Sequence, residues 1–186
     1  MPFTYEHARP AVTVDVALFA AGARGELQLL LIRRGSEPFA GRWALPGGFV
    51  DPDEDLDVAA RREVLEETGV RVGRLVQLGA YGKPGRDPRG RTISVVFLAG
   101  CDRAATNGTA GDDAAACDWF AALRPPPLAF DHKRILRDAR LRLAEIARDR
   151  TTFASLLFGA RSPAVADAVR RAALPTTAAK RPRRPS

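Results

Sequence analysis

Three glutamates, Glu63, Glu66 and Glu67, stand at i, i+3 and i+4 in a run free of glycine and proline. At about 100° per residue they share one helix face within an arc of roughly 100°, while Val58 and Leu65 point away from it. Carboxylates this close repel one another. A shared hard cation removes that cost, because Mg²⁺ prefers oxygen ligands and bridges carboxylates to phosphates. Ala59 and Ala60 lie near the same face and would leave room for such an ion. Ahead of them, the Pro46, Gly47, Gly48 turn lets the backbone approach a ligand closely and offers a bare carbonyl as a further metal ligand. Arg62, next on the helix, can orient a glutamate through a two-pronged hydrogen bond.

These residues need a helix behind them and a turn in front. The acidic stretch from Asp53 to Asp57 and the glycine at Gly69 frame a helix ending at Thr68. Val12 to Phe19 and Leu27 to Ile32 read as paired strands, and the Gly- and Pro-punctuated stretch from Arg33 to Pro46 as a long loop. Val72 to Tyr81, Thr92 to Cys101 and Ala114 to Ala121 are strand-like, with a basic loop KPGRDPRGR at 83 to 91 and a small, polar loop from Asp102 to Asp113. Apolar residues recur near helical spacing from Asp131 to Arg148, with Asp131 as N-cap, and His132 reads as a surface residue beside that cap. Thr152 to Phe158 and Pro163 to Ala173 suit short helices. This order describes a single α/β domain with a mixed sheet between helices.

The division expected is one domain over residues 1–160 and a helical extension with a basic, disordered tail over 161–186. The net charge is +7, but Lys180, Arg181, Arg183 and Arg184 supply four of it, leaving +3 for the rest. The fold itself is therefore only mildly basic, and the tail reads as a solubilising segment more than a nucleic-acid contact. There is no signal-like opening and no long apolar run, which gives a soluble, cytoplasmic protein as the expectation. Cys101 and Cys117 lack metal-ligand spacing and read as two buried thiols, with a disulfide between facing strands as the lesser alternative.

From Gly48 to Val70 the chain resembles the Nudix box: a glycine, five residues, a glutamate, seven residues, then Arg-Glu-aliphatic-x-Glu-Glu-x-Gly-aliphatic, with every defined position filled. The resemblance implies a Nudix fold, an α/β/α sandwich with a mixed central sheet. It also implies Mg²⁺ or Mn²⁺ held by Glu63, Glu66, Glu67 and the Gly47 carbonyl. Gly48, Glu54, Arg62 and Gly69 would be structural parts of the box. The reaction implied is hydrolysis of a nucleoside diphosphate linked to another group. Glu63 or Glu67 could serve as base, as could an acid from a later loop, for which Asp112 and Asp113 stand available.

Outside the box, GRWALPGGFVD, GRDPRGR and AFDHKRIL resemble the branch that holds ADP-ribose pyrophosphatases and regulators of NAD metabolism. That branch implies ADP-ribose cleaved to AMP and ribose 5-phosphate, with Arg86, Arg89 and Arg91 around the mouth of the site. Trp43 could stack on a base or pack beneath the glycine turn. NADH, oxidised nucleoside triphosphates and dinucleoside polyphosphates are the alternative substrates. The resembling enzymes are commonly homodimers. The branch also contains ADP-ribose-sensing repressors with a winged helix; the residues after Phe158, rich in Ala, Arg, Pro and Thr, lack the strand-like run such a domain needs.

Overall fold

In a computed structural model of the protein, residues 6–7, 9–103, 114–157 and 163–174 are described. The strands are β1 (Ala11–Ala21), β2 (Leu27–Arg34), β3 (Trp43–Ala44), β4 (Gly47–Phe49), β5 (Val76–Tyr81), β6 (Thr92–Gly100) and β7 (Ala114–Ala121). The helices are α1 (Leu56–Thr68), α2 (His132–Ile146), α3 (Arg150–Leu157) and α4 (Pro163–Ala173).

One mixed sheet runs β3-β2-β1-β6-β5, with β7 on β2 and β4 on β1. Its backbone is β1 against β6, parallel and in continuous register from Ala11↔Thr92 to Phe19↔Gly100. With that edge of β1 taken along its length, β2 and β4 must share the other. β2 pairs antiparallel with Phe19 to Ala21, and β4 pairs antiparallel with Thr13 to Asp15. The sheet therefore splits where β1 passes from one partner to the other, leaving the far end of β2 to pair with β3 through Ile32↔Ala44 and Arg33↔Trp43.

Side-chain alternation along β1 feeds both faces of this sheet. Val14, Val16 and Leu18 join Ala59, Ala60 and Val64 of α1 in one core, whereas Ala17 and Phe19 join Ile135, Leu136, Ala139 and Leu143 of α2, with Phe153, Leu157 and Val169, in the other. Helices cover both sides, which is the α/β/α sandwich expected. Fully burying each Val, Leu, Ile or Phe among them contributes about 1.5–3 kcal/mol, so the two cores hold the sheet rigidly under the site.

Three expectations are corrected. The stretch after β2 is not wholly irregular, because Trp43 and Ala44 find a strand partner in β2. The segment before Tyr81 becomes strand only at Val76, where pairing with β6 begins. Ala59 and Ala60 leave no space for an ion: both are fully buried against the sheet, and their small size lets α1 approach it closely. Cys101 and Cys117 are free thiols. Among the described residues no helix is long and apolar enough to cross a membrane.

Candidate active site

Helix α1 begins after Asp55, in extended conformation, and stops at Gly69, whose left-handed φ of 69° lets its N–H bond back to the Leu65 carbonyl at 2.8 Å. Ala60, Val64 and Thr68, four residues apart, form its buried line. Glu63 and Glu67 sit one position to the side, facing β4. The Gly47 N–H donates to Glu67 Oε2 at 2.8 Å, and a side chain at Gly48 would strike the Glu63 carboxylate at 2.4 Å. Gly47 itself has φ 153°, and a Cβ there would lie 2.1 Å from the Val14 carbonyl oxygen. Both glycines are required by close approach, Gly47 to β1 and Gly48 to Glu63.

Arg62 ties the acidic cluster together. Its Nε donates to Glu54 at 3.0 Å, its Nη1 to Glu63 at 2.8 Å and Glu66 at 3.1 Å, and its Nη2 to the Phe49 carbonyl at 3.1 Å. The bond from Arg62 holds Glu54 below the usual carboxylate range. Burial pushes Glu63 up against the pull of Arg62, and Glu66 and Glu54 add to the rise. Glu67 is pushed up to about 8, first by burial, with Glu63 and Asp15 adding to it and the Gly47 N–H opposing. Among the described residues, no three His, Cys, Asp or Glu side chains converge as a ready metal cluster, since Arg62 draws Glu63 and Glu66 to itself. The chemistry of the donor set nonetheless fits a hard divalent cation. It consists of carboxyl oxygens beside a glycine turn, two of them disfavoured as anions by burial and mutual repulsion.

Above this cluster the splayed strands open a cavity of about 510 Å³, counted with its open mouth. Asp15, Gly47, Gly48 and Phe49 line it together with Arg34, Arg86, Arg89, Phe130 and His132. Of the three loop arginines, Arg86 is buried against Asp131 at 2.7 Å and lies 4.0 Å from Asp15. Arg89 grips Asp87 through paired bonds and lies over the rings of Phe49 (4.9 Å) and Phe130 (5.7 Å). Arg91 is turned to the Gly82 carbonyl and does not line the cavity. Nor does Trp43, which packs edge-on against Phe120 at 4.6 Å. Asp112 and Asp113 lie outside the described residues.

His132 is not the surface residue expected. It is 3% exposed, accepts the Leu45 N–H at Nδ1, and places Nε2 3.4 Å from Asp15 Oδ1. Asp131 does not cap α2 with its side chain, because Arg86 has taken the carboxylate. Asp15, Ser94 and Arg34 also went unnoticed in the sequence. The signal for the first two was a polar residue followed by an unbroken apolar run within a strand, TVDVALF and TISVVFL, where a buried polar group is the informative exception. Ser94 Oγ donates to Asp15 Oδ2, across the parallel β1 and β6 pair.

A family model described as NUDIX domain matches residues 9–139. The ADP-ribose pyrophosphatase of Methanocaldococcus jannaschii is 43% identical over 129 residues, covering 69% of this chain and 72% of that protein. The ADPR responsive transcriptional repressor NtrR of Acinetobacter baylyi is 38% identical over 143 residues, covering 74% of this chain but only 56% of the repressor. Among solved structures, the NUDIX domain of Shewanella oneidensis NrtR complexed with ADP ribose aligns with TM-score 0.67 and 34% identity over 74% of this chain and 90% of that one.

Proposed function

The chain belongs to the NUDIX family of pyrophosphohydrolases, and from that premise we propose that it hydrolyses ADP-ribose to AMP and ribose 5-phosphate with Mg²⁺, Mn²⁺ serving in its place. The observation that carries this reading is the juxtaposition of the Glu63 and Glu67 carboxyls with an arginine-lined cavity across the Gly47 and Gly48 turn. The likeness to an ADP-ribose pyrophosphatase over more than two thirds of both chains supports the choice of substrate.

In this reading Glu63, Glu66, Glu67 and the Gly47 carbonyl would hold the metal, which would supply charge neutralisation at the diphosphate and an activated water. Glu67, fixed by the Gly47 N–H beside the glycine turn, is with Glu63 one of the two carboxyls of the box that would serve as base. Arg62 keeps Glu63 and Glu66 aligned, and its bonds to Glu54 and the Phe49 carbonyl anchor it. Arg89, fixed by Asp87 and backed by Phe49 and Phe130, closes the cavity over the nucleotide. Asp112 and Asp113 keep their place as an alternative source of the base. The domain occupies residues 1–160 and works as a homodimer, with the remainder an extension.

The test is incubation with ADP-ribose and Mg²⁺: AMP should appear, and Glu67→Gln should abolish its release. NADH, an oxidised nucleoside triphosphate and a dinucleoside polyphosphate complete the panel, and faster turnover of any of these would displace ADP-ribose as substrate. A second reading, an ADP-ribose-sensing regulator, is favoured by the similarity to the NtrR repressor. It predicts tight ADP-ribose binding without turnover.

A further inference from the structure

Three arginines line the cavity, and they differ in what already holds them. Arg86 and Arg89 are each neutralised by an aspartate at 2.7 Å. Arg34 is not: among the described residues no carboxylate lies within 4.0 Å of its guanidinium. Its Nε is committed to the Pro38 carbonyl at 2.7 Å, and its guanidinium carbon lies 4.9 Å from the centre of the Phe130 ring. Those contacts orient the group and leave Nη1 and Nη2 unspent.

Its backbone is equally fixed, donating to the Arg42 carbonyl at 2.9 Å and accepting from the Gly41 N–H at 2.9 Å. The register of β2 against β7 shifts between Arg33 and Arg34, the extra residue lying in β7 between Ala114 and Ala116, while along β2 the alternation of strand side chains sets Arg34 on the same face as Ile32, which also lines the cavity. Arg33, one residue earlier, is exposed and bonds the Gly41 carbonyl, whereas Arg34 turns into the cavity. The supporting ring is itself constrained. Phe130 has φ 49°, which a bulky residue adopts only where its surroundings hold it there.

We propose that Arg34 is the anion-recognising residue of the cleft, binding phosphate oxygens of the nucleotide through its unspent Nη edge. A guanidinium that is oriented, partly desolvated and unpaired has already met the costs of binding an anion; Arg86 and Arg89 would first have to leave their aspartates. The assignment rests on the diphosphate-cleaving function proposed above, and names the residue that selects for the charged part of the substrate.

Binding to metal-free protein tests it apart from turnover. Calorimetric titrations with AMP, adenosine and inorganic pyrophosphate should compare wild type, Arg34→Gln, Arg34→Lys and Arg33→Gln. Arg34→Gln should weaken AMP and pyrophosphate about tenfold or more and leave adenosine unchanged. Arg34→Lys should recover part of that loss, as a point charge replaces a planar fork. Arg33→Gln removes the same charge outside the cavity and should bind like wild type. Equal weakening of AMP and adenosine in Arg34→Gln would make Arg34 a packing residue for Phe130 and overturn the proposal, as would unchanged pyrophosphate binding. Should Arg34→Gln fail to fold, Arg34→Lys decides: wild-type affinity for AMP and pyrophosphate overturns the assignment, and a selective loss for both supports it. If wild type hydrolyses no nucleoside diphosphate derivative but its pyrophosphate binding depends on Arg34, the enzymatic reading falls and this one stands.

Discussion

His132 Nδ1 accepts the backbone N–H of Leu45 at 3.0 Å, joining the first turn of α2 to the strand that leads into the glycine turn, 87 residues away in sequence. Because Nδ1 accepts, the proton of a neutral imidazole sits on Nε2, facing Asp15 at 3.4 Å. Burial holds this histidine below its ordinary value of 6.5, and the attraction of Asp15 only partly opposes that.

A folded histidine held low contributes stability that is present above the unfolded value and is lost as pH falls toward the folded one. His132→Asn, whose amide oxygen can still accept from Leu45, lacks this loss, so the melting temperature of wild type should fall relative to that of His132→Asn as pH drops below about 6.5. Parallel curves for the two proteins would show that His132 does not titrate on unfolding.

Glu67 gives the opposite sign. Its folded carboxyl keeps its proton up to about 8, whereas an unfolded glutamate releases it near 4.5. Between those values the folded state binds the extra proton, so stability of the metal-free protein falls as pH rises through the interval. In chelator, wild type should melt lower at about pH 8 than at about pH 5, and Glu67→Gln should lose less over that range. Added Mg²⁺ should raise the melting temperature of wild type at the higher pH and leave that of Glu67→Gln nearly unchanged.

Two adjacent glycines should fail differently. Alanine at Gly47 meets backbone, 2.1 Å from the Val14 carbonyl oxygen and 2.8 Å from the Asp15 Cα, at an unfavourable φ. Gly47→Ala should be destabilised by about 2 kcal/mol or more in urea denaturation. Alanine at Gly48 meets only the end of the Glu63 side chain, which can swing away. Gly48→Ala should fold with a near wild-type midpoint and lose hydrolysis, about a hundredfold if Glu63 is a metal ligand.

The Arg86 and Asp131 pair fastens the loop at 83–91 to the start of α2. Arg86 is 4% exposed along its side chain, so Asp131→Asn leaves a buried guanidinium with only the more distant Asp15. Breaking a buried pair from one side costs about 3 kcal/mol, read as a shift in the urea midpoint. The KM for ADP-ribose should rise as Arg89 loses its fixed footing. An unchanged KM would mean that the loop is not part of the nucleotide site.

The helix that carries Glu63, Glu66 and Glu67 was legible because its signals are local. Spacing sets the face, and Gly69 sets the end. The same holds for the two-faced apolar strand β1 and for the boundaries of β7 and α4, which match the expected Ala114 to Ala121 and Pro163 to Ala173. Where the sequence misled, the deciding partner was distant. Ala59 and Ala60 read as room for an ion, but the sheet packs against them, and His132 read as a surface residue beside a helix cap, but Leu45 and Asp15 enclose it.

By itself, then, the sequence determined the chemistry: carboxylates on one helical face, a glycine turn before them, and the family to which that pattern belongs. Only the tertiary structure decided which charges remain available to a ligand. An arginine's charge is written in its residue type, but its pairing depends on elements brought together from across the chain. Arg86 meets Asp131, Arg89 folds onto Asp87, Arg91 turns to Gly82, and Arg34, at a shift in strand register, is left to face the cavity.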